Sequence, residues 1–281
     1  MTEQDIPNIR RARGYRLYTE NGRRLVDLWQ AGGCAVLGHT PRNVVRELKN
    51  IAERGLFAPY PTFAERRFIR ALSALFPDGI GFRVFSDQSR MNMALEYADI
   101  LKQSEDIPDP AFFSPSEMTI GTVTLWRPFC VCPSTPLLTP VLPWLLGPVV
   151  LVITEQGRAV AEKIPPSDTI APVILAGATR AVYNLITERN TVDARRISPK
   201  IAKSLSMKGC IWKRNGIYLH TNLENEAYAH MFRVFLDANF LLPPNPCIPA
   251  VLPSELSQGE EANLSRLFAQ DQHLIPSPRQ L

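Results

Sequence analysis

Few side chains in this sequence are of a type, and in a setting, to do chemistry. Cys130 and Cys132 form a C-x-C pair. Two thiols one residue apart could hold a soft metal ion, but no histidine or second cysteine pair stands at ligand spacing, so two metal-free thiols on a proline-rich turn is the expected state. Glu155 closes the apolar run 149–154, and a carboxylate at the C-terminal end of a strand lies where α/β sheets bind their ligands. A solvated strand-end glutamate would read the same way. Lys163 follows beside Pro165 and Pro166; its amine could act as a nucleophile in covalent catalysis, or it is an ordinary surface lysine. His39, in a Leu-Gly-His turn, either lines a pocket or hydrogen-bonds within its own turn. Trp126, Trp144 and Trp212 are expected to be core or interface anchors.

The elements that must position these residues can be read from periodicity and capping. Two short alternating apolar runs flank Asn21-Gly22, which supplies the positive backbone angles of a tight turn, and predict a β-hairpin within residues 15–38. Thr40-Pro41 offers an N-cap hydroxyl followed by a proline at the first helical position; Val44, Val45, Leu48, Ile51 and Ala52 then mark one apolar face until Gly55. The capping box Thr62-x-x-Glu65 opens a second helix that presents Phe68, Ile69, Leu72, Leu75 and Phe76 inward and halts before Pro77. A strand at 82–85, the polar loop 86–89 and a helix through Met91, Leu95, Ala98 and Leu101 make one α/β step. Nine prolines in residues 108–148 break up regular helix, although 122–126 and 149–154 still read as buried strands. Then come a helix at about 170–188, strands at 211–212 and 217–219, a helix at 225–239, a second proline cluster and a final helix capped at Ser257.

Composition excludes several classes. The chain has 281 residues, 45% of them hydrophobic, enough for a buried core. Its most apolar stretch, 141–153, is short and broken by Pro143 and Pro148, so no bilayer-spanning helix is expected. The N-terminus MTEQDIPNIRRARGY carries charges of both signs and no apolar core, which points to a cytoplasmic protein. Five scattered cysteines are an odd number and argue against a disulfide framework. The formal charge of +4 is mild, its local excess sits in Arg10, Arg11, Arg13, Arg16, Arg23 and Arg24 with acidic residues interleaved elsewhere, and no recognisable nucleic-acid-binding module is readable. Nucleic-acid binding is therefore not expected, and a solvated or dimer-facing arm is.

Further signatures stand in order along residues 15–101: Tyr18-Thr19-Glu20-Asn21-Gly22, Leu25-Val26-Asp27, Gly32-Gly33, Leu37-Gly38-His39 and Pro41-x-x-Val44-Val45. This succession resembles the start of class III aminotransferases, pyridoxal-phosphate enzymes of fold type I, and their glutamate-1-semialdehyde aminotransferase branch in particular. The segment 227–246, with Leu241-Leu242-Pro243-Pro244-Asn245-Pro246, is similar to that family's C-terminal small domain. Together the matches cover somewhat under half of the chain. The resemblance implies an α/β fold: a reduced large domain of the fold-type I kind over 61–204, and an α+β small domain built from 1–60 and 205–281. It also implies a homodimer, because such enzymes build each cleft at a two-fold interface and the turn from Gly32 to His39 resembles a segment that borders it.

The departures from the family shape the functional expectation. Where the family carries S-G-T-E-A, whose backbone N–H groups receive the cofactor phosphate, this chain reads Asp87-Gln88-Ser89-Arg90-Met91. Gln88 replaces a glycine that allowed close approach, and Asp87 sets a carboxylate where a dianion would lie. No histidine stands between 40 and 219, so the family's aromatic-His-Gly is missing. If the strand ending Thr154-Glu155 matches the family's Asp-Glu strand, Thr154 stands where an aspartate would hold the pyridine nitrogen. Only Lys102 and Lys163 remain as Schiff-base lysines, and Lys163 lies too near Glu155 for the family's intervening helix and strand. The expectation is a pseudoenzyme with a degenerate phosphate loop (Asp87, Gln88, Ser89, Arg90) and no bound pyridoxal phosphate, acting through a small ligand or partner in a cleft near His39 and Glu155. The alternative is an active aminotransferase that holds pyridoxal phosphate on Lys163.

Overall fold

Capping and turn chemistry specify most of the elements that form. The computed structural model describes residues 6–102, 106–113, 121–132, 134–190 and 197–270. Strands β1 (Ile9–Arg13), β2 (Arg16–Thr19) and β3 (Arg24–Asp27) are followed by helices α1 (Val44–Ala52) and α2 (Phe63–Leu75), strand β4 (Gly79–Phe85) and helix α3 (Gln88–Tyr97). Next come β5 (Val123–Trp126), β6 (Leu137–Pro140), β7 (Val149–Thr154), α4 (Arg158–Ala161), α5 (Pro172–Asn190) and α6 (Pro199–Leu205). The remaining elements are β8 (Lys213–Asn215), β9 (Tyr218–His220), α7 (Asn225–Asp237), β10 (Phe240–Leu241), β11 (Ala250–Val251) and α8 (Gln258–Gln270). The chain divides into two compact units, Met1–Thr40 with Asp193–Leu281, and Pro41–Val192.

In the first unit the hairpin forms around Gly22, whose φ of 81° is open to glycine at no steric cost. The register pairs Arg16 with Val26 and Leu17 with Leu25, which turns Leu17, Leu25 and Val26 into the core. The basic segment before it is edge strand β1, mostly exposed, and charged side chains on an edge discourage pairing with other chains. On the other side β10 pairs with β3 in parallel, Phe240 opposite Val26, so the two ends of the sequence share one sheet. A second sheet has the order β11-β9-β8. Its hairpin turns at Gly216 (φ 61°) with Asn215 opposite Tyr218, so the strand begins at Lys213 rather than at 211–212. Trp212 packs edge-on against Phe235 at 5.9 Å and Phe268 at 5.6 Å.

Helix α8 opens behind the Ser257 cap expected from the sequence, and Glu260 completes a capping box. Ser257 Oγ accepts the Glu260 N–H at 3.3 Å and Glu260 Oε2 accepts the Ser257 N–H at 2.8 Å. The same carboxylate receives Arg16 Nη2 at 2.6 Å and Nε at 3.0 Å. Burial alone would push the Glu260 carboxyl up. The Arg16 hydrogen bonds and the Ser257 backbone and hydroxyl outweigh it and hold the group down at about 2.

The second unit is built on a four-stranded sheet of order β4-β7-β6-β5. β4 and β7 run antiparallel with Val84 opposite Val150, β7 and β6 are antiparallel, and β6 and β5 are parallel. Three strands therefore point one way, and β7, between two of them, points the other. One face of the sheet packs Phe85, Val123, Leu137, Leu151 and Ile153 against Met91 and Leu95 of α3. α3 stops at Tyr97, short of the expected Leu101, because Asp99 turns into the left-handed region (φ 57°); Leu101 still reaches this core. On the other side α1 and α2 pack on α5. α1 begins at Val44 behind an Asn43 cap with φ 63°, not at the Thr40-Pro41 start its sequence suggests. The freed Arg42 carbonyl accepts Asn184 Nδ2 at 2.8 Å instead. Gly177 of α5 is fixed by sterics, since a Cβ there would collide with the indole ring of Trp144.

Candidate functional site

Open α/β sheets bind ligands at the C-terminal ends of their parallel strands. In the second unit that edge gathers the ends of β4, β5 and β6 with the start of β7. It carries Ser86–Arg90 after β4, Arg127 after β5 and Val141 after β6. Among the described residues of these strand ends there is no lysine and no histidine.

The loop after β4 is closed by its own side chains. Asp87 is the N-cap of α3, extended at φ −158°, and its Oδ1 accepts the Arg90 N–H at 2.9 Å. Its Oδ2 accepts the Ser86 hydroxyl at 3.0 Å. The backbone bond from Arg90, then the Ser86 hydroxyl, hold the Asp87 carboxyl below the ordinary carboxylate range, so it is anionic at neutral pH. Gln88 donates sideways to Asn92 Oδ1 at 2.8 Å. Arg90 turns to Asp168, with Nη2 3.0 Å from Oδ1, and Asp168 Oδ2 also accepts the Ser86 N–H at 3.0 Å. Asp168 is held by its backbone N–H on the Val84 carbonyl at 2.8 Å. Arg90, the cation the sequence offered to this loop, is thus paired with a second carboxylate that sequence reading missed. The polar Ser167-Asp168-Thr169 triplet inside an apolar stretch was the available signal.

Arg127, also missed, is buried and bidentate to Asp109, Nε to Oδ1 at 2.7 Å and Nη2 to Oδ2 at 2.6 Å. Its position directly after a strand could have drawn attention to it. Glu155 and Thr154 are not brought to this edge. Thr154 pairs with Gly79 while Val149 pairs with Phe85, so the length of β7, about 20 Å at roughly 3.3 Å per residue, separates them from the α3 loop. The physical reason is direction: β7 is antiparallel to both neighbours, and its C-terminus leaves at the opposite edge. Thr154 Oγ1 donates to the Thr135 and Pro136 carbonyls at 2.8 and 3.0 Å. Glu155 forms an exposed bidentate pair with Arg158, both contacts 2.8 Å. Lys163 is exposed, beyond α4.

Glu155 does border a cleft of about 530 Å³, with Phe76, Trp126, Cys132, Ser134 and Arg189 on its walls. Phe76 meets Trp126 edge-on at 4.8 Å, and the Arg189 guanidinium lies over the Trp126 ring at 5.5 Å. His39 belongs to the first unit and is held in its turn by Asp27: Nε2 is 2.7 Å from Oδ2. Asp27 is buried, and its Oδ1 accepts the Trp29 and Gln30 N–H groups at 2.9 and 2.8 Å.

The fold these residues sit on is that of the aminotransferases. It superposes on ornithine δ-aminotransferase from Plasmodium falciparum with a TM-score of 0.67 at 11% identity, over 97% of this chain and 95% of that one. An omega-transaminase from Sphaerobacter thermophilus gives 0.68 at 11% identity, over 97% of this chain and 92% of that one. In sequence, an uncharacterized protein of Treponema pallidum (strain Nichols) is 26% identical over 289 aligned positions, covering 88% of this chain and 89% of the relative. No family model matches the chain. Among the described residues no helix is long and apolar enough to cross a membrane, and no group of three or more metal-ligating side chains exists.

Proposed function

We propose that the chain keeps the aminotransferase fold but does not transaminate, and acts as a pseudoenzyme through a bound ligand or partner. The observation that carries this reading is the closed N-terminus of α3. A phosphate there needs free N–H groups and close approach; here the Arg90 N–H is bonded to Asp87, and Asp87 and Asp168 are both held anionic by their partners. The residues do not fit a phosphate dianion. The absence of lysine from the described strand ends of the same edge supports the reading, since the family chemistry requires a lysine amine. The ligand site we propose is the 530 Å³ cleft beside Glu155, a volume suited to a small molecule, with Trp126 and Phe76 as aromatic walls. We further propose that the protein is a cytoplasmic homodimer. Its five cysteines form no disulfide, as a reducing compartment favours.

Titration of the purified chain with pyridoxal phosphate tests the central point. No aldimine absorption band is expected, and borohydride should leave no lysine modified stoichiometrically. A band that borohydride fixes on Lys163 would overturn the reading in favour of an active aminotransferase.

A further inference from the structure

The turn after β5 carries two thiols one residue apart, Cys130 and Cys132. Phe129 takes a left-handed φ of 62°, which folds residues 127–132 back on themselves. The Arg127 N–H donates to Cys132 Sγ at 3.5 Å, and the Cys132 thiol lies 3.8 Å from both the Arg127 and the Cys130 carbonyls. The Cys130 thiol donates to the Val131 carbonyl, with Sγ 3.8 Å from the oxygen. Both side chains are partly buried, and Cys132 reaches the wall of the 530 Å³ cleft. Two Cα–Cα links of about 3.8 Å each keep the two Cα atoms within about 7.6 Å, so closing a disulfide, which spans about 4.4–6.8 Å, needs at most a small tightening of the turn. No third metal-ligating side chain joins them among the described residues, which disfavours a metal site.

We infer that Cys130 and Cys132 form a reactive dithiol that undergoes thiol–disulfide exchange with a low-molecular-weight disulfide entering the cleft. Cys132 is the attacking sulfur and Cys130 the resolving one. Cys132 is the thiol on the cleft wall and its Sγ accepts the Arg127 N–H at 3.5 Å; the neighbouring Cys130 thiol, then that backbone bond and the Arg127 guanidinium, hold it below its ordinary range against burial and Asp109. The Cys132 thiol beside it, then burial, push Cys130 up, and its proton is held on the Val131 carbonyl, as suits a thiol that keeps its proton until the second step. In the first step the Cys132 thiolate attacks one sulfur of the disulfide RSSR, the S–S bond breaks, and RS⁻ leaves and takes a proton from solvent. In the second the Cys130 thiol gives its proton to solvent and attacks Cys132 Sγ, expelling the other RS⁻, which is protonated. Two protein thiols are oxidised by two electrons and one disulfide is reduced to two thiols. The inference stands independently of whether the chain transaminates.

The test uses the full reduced chain equilibrated with glutathione and glutathione disulfide, quenched in acid, alkylated and mapped by peptide mass. Loss of two alkylatable thiols is expected on the single peptide that holds Cys130 and Cys132, reversed by dithiothreitol. Cys130→Ser should trap glutathione on Cys132. In Cys132→Ser the remaining Cys130 should react with glutathione disulfide about tenfold or more slowly than the wild-type peptide does, with circular dichroism confirming the fold. If the wild-type peptide keeps both thiols free in the disulfide-rich buffer, the inference fails, and the wild-type result needs no variant to fold. It also fails if Cys130 and Cys132 react equally fast as independent mixed disulfides, or if Cys132→Ser leaves the rate unchanged.

Discussion

At the scale of single residues, the decisive group is a carboxylate that caps a helix where an anion site would otherwise form. Asp87 caps α3 and is held anionic by the Arg90 N–H and Ser86 hydroxyl, so a phosphate would meet like charge at a helix end whose Arg90 N–H is already taken. Replacing Asp87 by Ser together with Gln88→Gly should create measurable binding of inorganic phosphate or pyridoxal phosphate, detectable by calorimetry, without conferring transamination. A double variant that binds neither would remove the charge argument. The cap was legible because aspartate before a helix is an N-cap signal at short range. Asp168 was not, since its tie to Arg90 spans 78 residues of sequence. For His39 the sequence left two roles open, and its ring is bonded to buried Asp27. His39→Ala should cost about 1–2 kcal/mol of unfolding free energy in a denaturant titration, because it removes a hydrogen-bond partner from the buried Asp27 side chain.

Elements reveal where periodicity suffices and where it does not. Helices α2, α5, α7 and α8 follow their caps and apolar stripes within a few residues, since both signals are local. β6 escaped because Pro136 and Pro140 bracket or end a strand of four residues, Leu137–Pro140, and β10 and β11 are too short, at two residues each, to show alternation. Two element-scale outcomes are open to measurement. Gly177→Ala pushes a methyl into the Trp144 ring and should destabilise the second unit by about 1–3 kcal/mol, read as a lowered denaturation midpoint. Glu260 joins the cap of α8 to Arg16 of β2, and its folded-state value of about 2 lies below the unfolded value of about 4.3. Its contribution is therefore complete above about pH 4.3 and is lost as pH falls through about 2. Glu260→Gln should lower stability at neutral pH by about 2 kcal/mol and flatten the decline between pH 4 and 2. An unchanged acid slope would show that another carboxylate governs it.

For the molecule as a whole, an exposed apolar segment bears on assembly. Phe57, Tyr60 and Phe63 are 60%, 62% and 39% exposed, with Val45 at 54%, and clustered apolar exposure of this kind marks an interaction surface. A homodimer that covers it should bury well over about 2,000 Å² if obligate. Sedimentation at micromolar concentration is expected to show a dimer, and Phe57→Ser with Tyr60→Ser to shift it towards monomer with circular dichroism unchanged; a monomeric wild type would end the proposal. The reversed strand β7 also sets a schedule for synthesis. β4 is complete by residue 85, yet its partner begins at Val149, and β3 pairs with β10, which begins at Phe240. A ribosome emitting this chain from its N-terminus therefore exposes an unsatisfied strand edge for about sixty residues in one unit and for more than two hundred in the other, and such edges recruit stray strands. A chain released at residue 148 should accumulate in the insoluble fraction, whereas one released after residue 190 holds all four strands of the second sheet.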